Sequence, residues 1–566
     1  MAASTVASAS TSESSERYPW NYSGVRERVA SIPSMTGQCA QTVAQPRLLL
    51  AGDSWAQFMW DDDTHNRLLD RFGLADRRAV SRSLGDNPGP GYTGPAYAVS
   101  GSEAREWIDT AQFPWIANVV SELQALPSID TVLLSIGGND LLAGRSDGGW
   151  YKDMDLDQAG AEAALFDRVL GDSQTIVDAF QAVRPELAIM VSSYEYPNFN
   201  VSALWCWIYA CPKRRDLSRD PDNDLVSDSE INGLMLQVEQ RRILWTNANP
   251  RLLYGHEIGA MHHYYGDGQV GPGVWPRPGL LPPDYQPFPA GNPALSSLRE
   301  NFRTTAGISA DPIHLDEEGY RYKVALQLEG QLYERLRGPI DLSLNSLGGT
   351  ADGWTDGSAV GNGRISVGAS ADRLVHGLVS FDTAALPDDA QITAASLWLL
   401  LDQRQGSNPF TSGQLGAPRL DLARGSFGGP DIEASDATAP ADASDVGCFV
   451  GSAANPDDAL RIELSLEALA QIDRQGPTQF RLSFATPSTA SARNDFASGD
   501  AGVARSFPVD TVDYVQQLQS DGTTPIVAVR GQALSHRGLV EYLGSARPVL
   551  TLQFTVDGLH SDGFED

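Results

Sequence analysis

The stretch Leu48-Leu49-Leu50-Ala51-Gly52-Asp53-Ser54-Trp55, residues 48–55, joins an apolar run to a glycine, an acid and a serine. A short apolar run that ends at a turn residue is typical of a buried strand. The stretch therefore predicts a strand that stops at a tight turn and presents Ser54 at its carboxyl end. Open α/β sheets place their reactive groups at this edge, so Ser54 is the first candidate for chemistry.

Two kinds of segment alternate around this stretch, from about residue 47 to residue 337. Short apolar runs predict strands, and longer stretches with helical periodicity predict the helices between them. This alternation predicts an α/β fold with a mainly parallel sheet that is covered by helices on both faces. The predicted strands are Arg47–Ala51, Tyr97–Ser100, Thr131–Ile136, Ala188–Ser193 and Leu252–Gly255. The predicted helices are Ala159–Val183, Asp228–Thr246 and Glu317–Arg335, the last with Asp316 as its N-cap.

The pattern changes after Gly338, where short β-like runs are separated by clusters of Gly, Asp, Ser and Pro. Many short strands with frequent turns predict an all-β sandwich domain. One helical pattern, Ser465–Ile472, interrupts the strands. The predicted strands are Arg364–Gly368, Gly377–Phe381, Ser396–Leu401, Gln479–Phe484, Pro525–Val529 and Pro548–Val556.

A chain of 566 residues is too long for one hydrophobic core, so we expect more than one domain.

Two long stretches of the α/β region, near residues 197–228 and 256–301, fit neither strands nor helices. Their aromatic side chains either line a cleft or only cover one end of the sheet. These aromatic residues are Trp205, Trp207, Tyr209, Tyr264, Tyr265, Trp275, Tyr285 and Phe288. The predicted organisation is a flexible tail over 1–30, an α/β domain over 31–338, a β-sandwich over 339–556 and a tail over 557–566.

The charge balance excludes some classes of partner. The formal net charge is −31, and Lys152, Lys213 and Lys323 are the only lysines. Such an acidic chain repels nucleic acid and anionic membrane surfaces at long range.

No apolar run approaches the about 20 residues that span a bilayer, so no transmembrane segment is expected. Residues 1–17 are rich in Ala, Ser and Thr without an apolar signal core, which indicates a flexible tail or a start after a removed signal peptide.

The four cysteines, Cys39, Cys206, Cys211 and Cys448, form an even set. They fit two disulfides with three alternative pairings, and Cys206 and Cys211 are close enough to close a small loop. The alternative is four unpaired buried thiols. A structural zinc site is disfavoured because no second Cys/His pair stands at ligand spacing.

A serine hydroxyl becomes a good nucleophile only when a base takes its proton, and a carboxylate must orient that base. Asp311-Pro312-Ile313-His314 supplies both groups just before the last predicted helix, with Pro312 stiffening a predicted turn between them. His314 is therefore the candidate base and Asp311 its orienter. Taken alone, the Asp-x-x-His pattern is weak, and in most proteins it is a surface turn.

Two further segments can supply donors to a developing oxyanion. Gly137-Gly138-Asn139-Asp140 follows the predicted strand Thr131–Ile136, and Asn139 offers its side-chain amide. Gly101 follows the predicted strand Tyr97–Ser100 and offers a backbone N–H. Each segment is also compatible with an ordinary glycine turn.

Together these residues resemble the ordered blocks of the SGNH hydrolase (GDSL esterase/lipase) superfamily. The blocks are Gly52-Asp53-Ser54, Gly101, Gly137-Gly138-Asn139-Asp140 and Asp311-x-x-His314, and the resemblance covers residues 47–337. It implies a flavodoxin-like three-layer α/β/α sandwich with Ser54 as nucleophile, His314 as base and Asp311 as orienter. It also implies an oxyanion hole formed by Ser54, Gly101 and Asn139, and chemistry without a metal or organic cofactor. Trp55 departs from the family pattern, in which Leu is usual, and this changes packing beside the nucleophile.

Three other patterns resemble functional sites. Gly171-Asp172-Ser173 repeats the tripeptide inside a helical pattern, so Ser173 is expected to be an exposed helix residue. Adjacent His262 and His263 point opposite ways on a strand, which disfavours a shared ligand. A calcium loop is suggested by Asp220, Asp222, Asp224 and Asp228, but Leu225 replaces its required glycine and Ile231 its bidentate glutamate.

The second half of the chain resembles the DNRLRE-type β-sandwich modules of secreted bacterial proteins. The resemblance rests on Arg364–Gly368, His376–Asp382, Ile392–Leu401, Gln479–Phe484 and the closing Arg547-Pro548-Val549-Leu550. It implies an extracellular accessory module that contacts carbohydrate or a cell surface. A rigid spacer is the alternative, because a fold does not determine a function.

The sequence thus predicts a secreted bacterial serine esterase that removes short acyl groups, such as acetyl, from carbohydrate. A lipase or phospholipase acting on longer chains is the alternative, motivated by the aromatic insertions. A non-catalytic surface-binding or carbohydrate-binding protein is the alternative of another class. The intact set Ser54, Asn139, Asp311 and His314 argues against that last reading.

Overall fold

The structure is a computed structural model of the chain. It describes residues 46–83, 96–142, 160–198, 228–255, 258–259, 261, 302–305, 309–328, 332–456, 458–489, 491–498, 516–518, 527–529 and 547–556. Most of the two long insertions near 197–228 and 256–301, with all eight aromatic residues named above, lies outside these ranges. The predicted tails, the His262-His263 pair and most of the calcium-like loop also lie outside them.

Five parallel strands form the sheet of the first part, in the order β2-β1-β3-β4-β5. This 2-1-3-4-5 order is one of the two common doubly wound arrangements. The strands are β1 (Leu48–Gly52), β2 (Ala79–Val80), β3 (Thr131–Ser135), β4 (Ala188–Ser192) and β5 (Leu252–Gly255).

Nine helices are described in this first part, together with one hairpin. The helices are α1 (Ser54–Asp61), α2 (Thr64–Arg71), α3 (Ala104–Ile108), α4 (Trp115–Ala125), α5 (Gly138–Leu142), α6 (Ala161–Val183), α7 (Asp228–Ala248), α8 (Glu317–Gln327) and α9 (Tyr333–Arg337). The hairpin consists of β6 (Phe302–Thr305) and β7 (Ser309–Leu315), which pair antiparallel.

Alternation along the strands builds two separate cores, because successive side chains of a strand point to opposite faces. Leu48 and Leu50 face a core that contains residues of α1, α7 and α8. Leu49 and Ala51 face a core that contains residues of α3, α4 and α6. The strands carry near-continuous apolar runs because both faces are covered, as the sequence predicts.

The second part is dominated by one large antiparallel sheet. Its strands are β8 (Leu342–Asn345), β9 (Gly353–Thr355), β10 (Val360–Asn362), β11 (Arg364–Ser370), β12 (Arg373–Asp382), β13 (Ala390–Gly406), β14 (Pro418–Arg424), β15 (Gly447–Val450), β16 (Ala459–Leu464), β17 (Pro477–Phe484), β18 (Ala492–Ala497) and β21 (Val549–Val556). A separate pair consists of β19 (Gln516–Leu518) and β20 (Val527–Val529), and α10 (Leu466–Gln471) follows β16. Most buried apolar residues of these strands form a core of their own, whereas Trp398 and Val549 join a core of the first part.

Most predicted elements coincide with observed ones, but one prediction is wrong. Residues 97–100 do not form a strand; Ala98 makes only isolated parallel bridges, to Gly52 and Ser83. The helix predicted over Glu317–Arg335 covers α8 and most of α9, with residues 329–331 between them outside the described ranges. Its predicted N-cap is confirmed, since the Asp316 carboxylate accepts from the Gly319 N–H at 2.7 Å.

Cys448 is disulfide-bonded, and the described part of the chain contains no free cysteine. The alternative of four unpaired thiols is therefore wrong. Cys39, Cys206 and Cys211, and with them the suggested Cys206–Cys211 loop, lie outside the described residues. Among the helices that are described, none is both long and apolar enough to cross a bilayer.

Candidate active site

Ser54 begins α1 at the carboxyl end of β1, where the sequence places it. Asp53 caps the helix, and its Oδ1 accepts from the Trp55 N–H at 3.0 Å. Gly52 adopts φ +136°, and a Cβ there would lie 1.8 Å from the Ser135 carbonyl oxygen of β3. Only glycine fits this close approach of two strands, so the backbone geometry of the turn requires the glycine of Gly-Asp-Ser.

Ser54, His314 and Asp311 form one hydrogen-bonded chain. The Ser54 Oγ lies 2.7 Å from His314 Nε2, and His314 Nδ1 lies 2.8 Å from Asp311 Oδ2. All three side chains are buried. Asp311 Oδ1 also accepts from the backbone N–H groups of Ile313 and His314, which holds the carboxylate in place. The hairpin strand β7 thus brings the Asp311 and His314 side chains to the start of α1.

The His314 ring packs on the helix that carries the serine. Phe58 lies one turn after Ser54 on α1 and meets the imidazole in a T-shaped contact, with ring centroids 4.8 Å apart. Residues four apart share a helix face, so one face of α1 supplies both the hydroxyl and the surface against which the base rests. The N-terminal end of α1 also carries the positive end of the helix dipole.

Gly101 lies in the turn that follows Val99, with φ +78°. Gln57, a buried residue of α1, accepts from the Ser100 N–H through its Oε1 at 3.0 Å. This bond fixes the Gly101 turn to the helix of Ser54. Sequence reasoning missed Gln57, although it is an amide within the otherwise apolar run Trp55–Trp60, a signal that could have identified it.

Asn139 lies on the first turn of α5, beyond the carboxyl end of β3. Its amide Nδ2 donates to the Ser102 carbonyl at 3.0 Å, next to the Gly101 turn. An amide nitrogen carries two N–H groups, so this bond orients the group and leaves the second N–H to donate elsewhere. The structure therefore joins Gly101 and Asn139 through Ser102.

Two buried carboxyl groups flank these donors. Asp140 accepts from the Ala104 N–H at 2.8 Å, and burial, with the nearby charge of Glu103, raises its pKa from 3.8 to about 7. Burial likewise raises the pKa of Asp53 to about 6, against the lowering effect of its hydrogen bond from Tyr194. Carboxyl groups shifted in this way cluster at functional sites.

Trp55, which stands after the candidate nucleophile, is fully buried beside it. Its ring makes T-shaped contacts with Tyr194 and Tyr320, with centroids 5.2 Å and 5.3 Å away. Lys323 Nζ lies 5.7 Å from the same ring. The larger side chain thus occupies an aromatic cage behind Ser54.

Ser173, in the second Gly-Asp-Ser, lies on α6 as predicted, but its predicted exposure is wrong. Only 3% of the residue is exposed, and its Oγ donates to the Val169 carbonyl one turn earlier at 2.7 Å. The hydroxyl thus makes its hydrogen bond within its own helix.

Within the described ranges, no group of three or more His, Cys, Asp or Glu side chains is placed to hold a metal.

Comparisons with known proteins add little to this geometry. No family model and no curated protein matches the chain. The chain is similar to a Clostridium thermocellum family 3 carbohydrate esterase at 16% identity and TM-score 0.26, covering 52% of this chain and 98% of that one. It is similar to a Chitinophaga pinensis protein described as a possible lipase at 12% identity and TM-score 0.20, covering 50% and 97%. A Streptococcus pneumonia protein named after platelet activating factor matches at 12% identity and TM-score 0.25, covering 51% and 85%.

Proposed function

We propose that this protein is a serine hydrolase of carboxylic esters and a member of the SGNH superfamily with its flavodoxin-like fold. The observation that carries the proposal is the chain from Ser54 Oγ through both imidazole nitrogens of His314 to the Asp311 carboxylate, with contacts of 2.7 and 2.8 Å. A nucleophile and base within hydrogen-bond reach, with the base oriented by a third group, is the arrangement that activates a hydroxyl. The Gly101 turn and Asn139 beside it support the assignment.

The reaction follows from these positions in two steps. Ser54 Oγ attacks the ester carbonyl carbon while its proton passes to His314 Nε2, and the imidazolium then protonates the departing alcohol oxygen. The acyl group remains on Ser54. A water gives its proton to His314, its oxygen attacks the acyl carbon, and the carboxylic acid leaves as Ser54 regains a proton. Asp311 holds Nδ1 and stabilises the imidazolium in both steps.

The oxyanion that forms in each step requires fixed donors. We assign this role to the backbone N–H groups of Ser54 and Gly101 and to the side-chain amide of Asn139. Losing one such donor costs about 2.7–4 kcal/mol of transition-state stabilisation in comparable enzymes. The network of Gln57 and Ser102 supports the assignment because it ties the Gly101 turn to both α1 and Asn139.

For the substrate, we propose short acyl groups, such as acetyl, on carbohydrate. The second part of the chain would be a β-sandwich module that contacts carbohydrate or a cell surface. Its large antiparallel sheet with a core of its own supports this reading. The disulfide at Cys448 supports secretion, since disulfides persist in oxidising compartments.

Ester turnover by matched serine variants tests the proposal. With nitrophenyl esters of increasing chain length, wild-type protein should cleave the acetyl ester best, and Ser54→Ala should lose about 10⁶-fold in kcat. Ser173→Ala removes the serine of the other Gly-Asp-Ser and should keep wild-type kcat. Equal activity of Ser54→Ala and wild type would overturn the proposal, whereas a preference for long chains would replace the acetyl assignment with a lipase.

A further inference from the structure

Tyr194 lies beyond the carboxyl end of β4, at the same sheet edge as Ser54, and is 4% exposed. Its hydroxyl donates to Asp53 Oδ2 and accepts from the Gly138 N–H, the latter at 2.9 Å. One phenolic oxygen therefore bridges the turn of β1 and the turn of β3. None of the sequence motifs includes this residue.

The two partners of this hydroxyl are the immediate neighbours of two functional groups. Asp53 precedes Ser54 and caps its helix, and Gly138 precedes Asn139. A shift of either partner displaces the nucleophile or the amide donor. Misplacement of a reacting group by about 1 Å can cost about 100-fold in rate, so a bond that spans the two turns bears directly on catalysis.

The Tyr194 ring is itself held from several sides. Trp55 meets it edge-on, and the Arg242 guanidinium lies 5.1 Å from its centroid. Arg242 also donates to the carbonyl oxygens of Ile136 and Ser192, beyond the end of β3 and at the end of β4. Gly138 leaves no space beside the ring, since a Cβ there would lie 2.5 Å from its Cζ.

We propose that Tyr194 is a positioning residue of the esterase, holding Ser54 and Asn139 at a fixed separation through its bridge from Asp53 to Gly138. This inference rests on the proposed function. Tyr194 does not touch the reacting atoms, so it acts on the rate through the two groups that do. Its loss therefore affects the transition state more than the binding of substrate.

The first test is Tyr194→Phe, which keeps the ring and removes the bridging oxygen. We expect kcat on nitrophenyl acetate to fall about 10- to 100-fold while KM stays near the wild-type value. The matched control is Tyr333→Phe, another fully buried tyrosine of the same core whose hydroxyl has no hydrogen-bond partner among the described residues. It should keep wild-type kcat.

Gly138→Ala provides a second variant that retains the Tyr194 hydroxyl. The added methyl group collides with the ring and forces the bridge apart, so kcat should fall on the same scale. Thermal unfolding of each variant shows that it is folded under assay conditions. If Tyr194→Phe does not fold, the rate of Gly138→Ala decides the question.

A double-mutant cycle with Asn139→Ala separates positioning from mere packing. If Tyr194 acts partly through the amide donor, Tyr194→Phe costs clearly less in the Asn139→Ala background than in wild type. A kcat unchanged in both Tyr194→Phe and Gly138→Ala, or a raised KM alone, would overturn the inference. Wild-type protein that cleaves no ester and reacts with no fluorophosphonate would instead overturn the proposed function.

Discussion

Asp140 shows how a single buried residue near the site links stability to pH. Its Oδ2 accepts one hydrogen bond, its Oδ1 has no partner among the described residues, and its folded-state pKa is raised from 3.8 to about 7. A carboxyl group whose folded pKa is raised contributes stability that is present below pH 3.8. That contribution is lost as the pH rises through about 7, because the folded state then holds an unfavourable charge.

Asp140→Asn removes this charge and should therefore weaken the pH dependence of the free energy of unfolding. Relative to wild type, the variant should gain up to about 4 kcal/mol in the free energy of unfolding between pH 4 and pH 8. Urea denaturation at the two pH values measures the difference. If the free energies of unfolding of the two proteins differ by the same amount at pH 4 and at pH 8, Asp140 keeps the same ionisation when the chain unfolds, which would contradict the prediction.

The residues of the candidate site divide into those the sequence reveals and those it does not. Ser54, Asn139 and His314 lie in short motifs, whose spacing reflects local turns. Gln57 and Tyr194 act through partners 43 and 56 residues away in the sequence, or farther. Such bonds depend on how the turns meet in three dimensions; Gln57 stands out as an amide in an apolar run, but no local pattern marks Tyr194.

Among the elements, those with a clear apolar run or amphipathic period were predictable, and those without one were not. β3 and α6 match their predicted ranges to within two residues, because apolar runs and amphipathic periods are strong signals. The sequence gives no such signal for α1 or the two-residue β2. The apolar segment 97–100 predicts a strand; it packs against β1 but makes only isolated bridges, to Gly52 of β1 and to Ser83.

The hairpin of β6 and β7 is the element that completes the site. The sequence places Asp311 and His314 in a stiff turn before the last helix, whereas the structure places both on β7. Asp311 and His314 are three residues apart on this strand, and backbone N–H groups of the same segment anchor the carboxylate. The distance from Ser54 to His314, 260 residues along the chain, is closed only by the tertiary fold.

At the scale of the whole molecule, the two parts of the chain share a buried contact. Trp398 and Val549 of the antiparallel sheet belong to the same apolar core as residues of the first part. Arg461 is 1% exposed and forms an ion pair with Asp76, while its guanidinium lies 5.4 Å from the Trp398 ring centroid. The second part is therefore packed against the first rather than joined only by the connecting chain.

Because the two parts of the chain share this buried contact, we expect them to unfold together. Arg461→Met leaves the buried Asp76 carboxylate with Arg77 as its remaining ion-pair partner and should cost about 1.5–3 kcal/mol. The control Arg67→Met breaks the exposed ion pair with Glu317 and should cost less than about 1 kcal/mol. Calorimetry should show one transition for wild type. Two separate transitions, or equal effects of the two variants, would contradict the shared core.

The central claim is that Ser54 is the nucleophile of an acyl-transfer site, and covalent labelling measures this most directly. Wild-type protein is treated with a fluorophosphonate, and the adduct is located by peptide mass spectrometry. One adduct is expected, on Ser54, and it should be absent from Ser54→Ala and kept in Ser173→Ala. A wild-type protein without an adduct, or with its adduct on another residue, would contradict it.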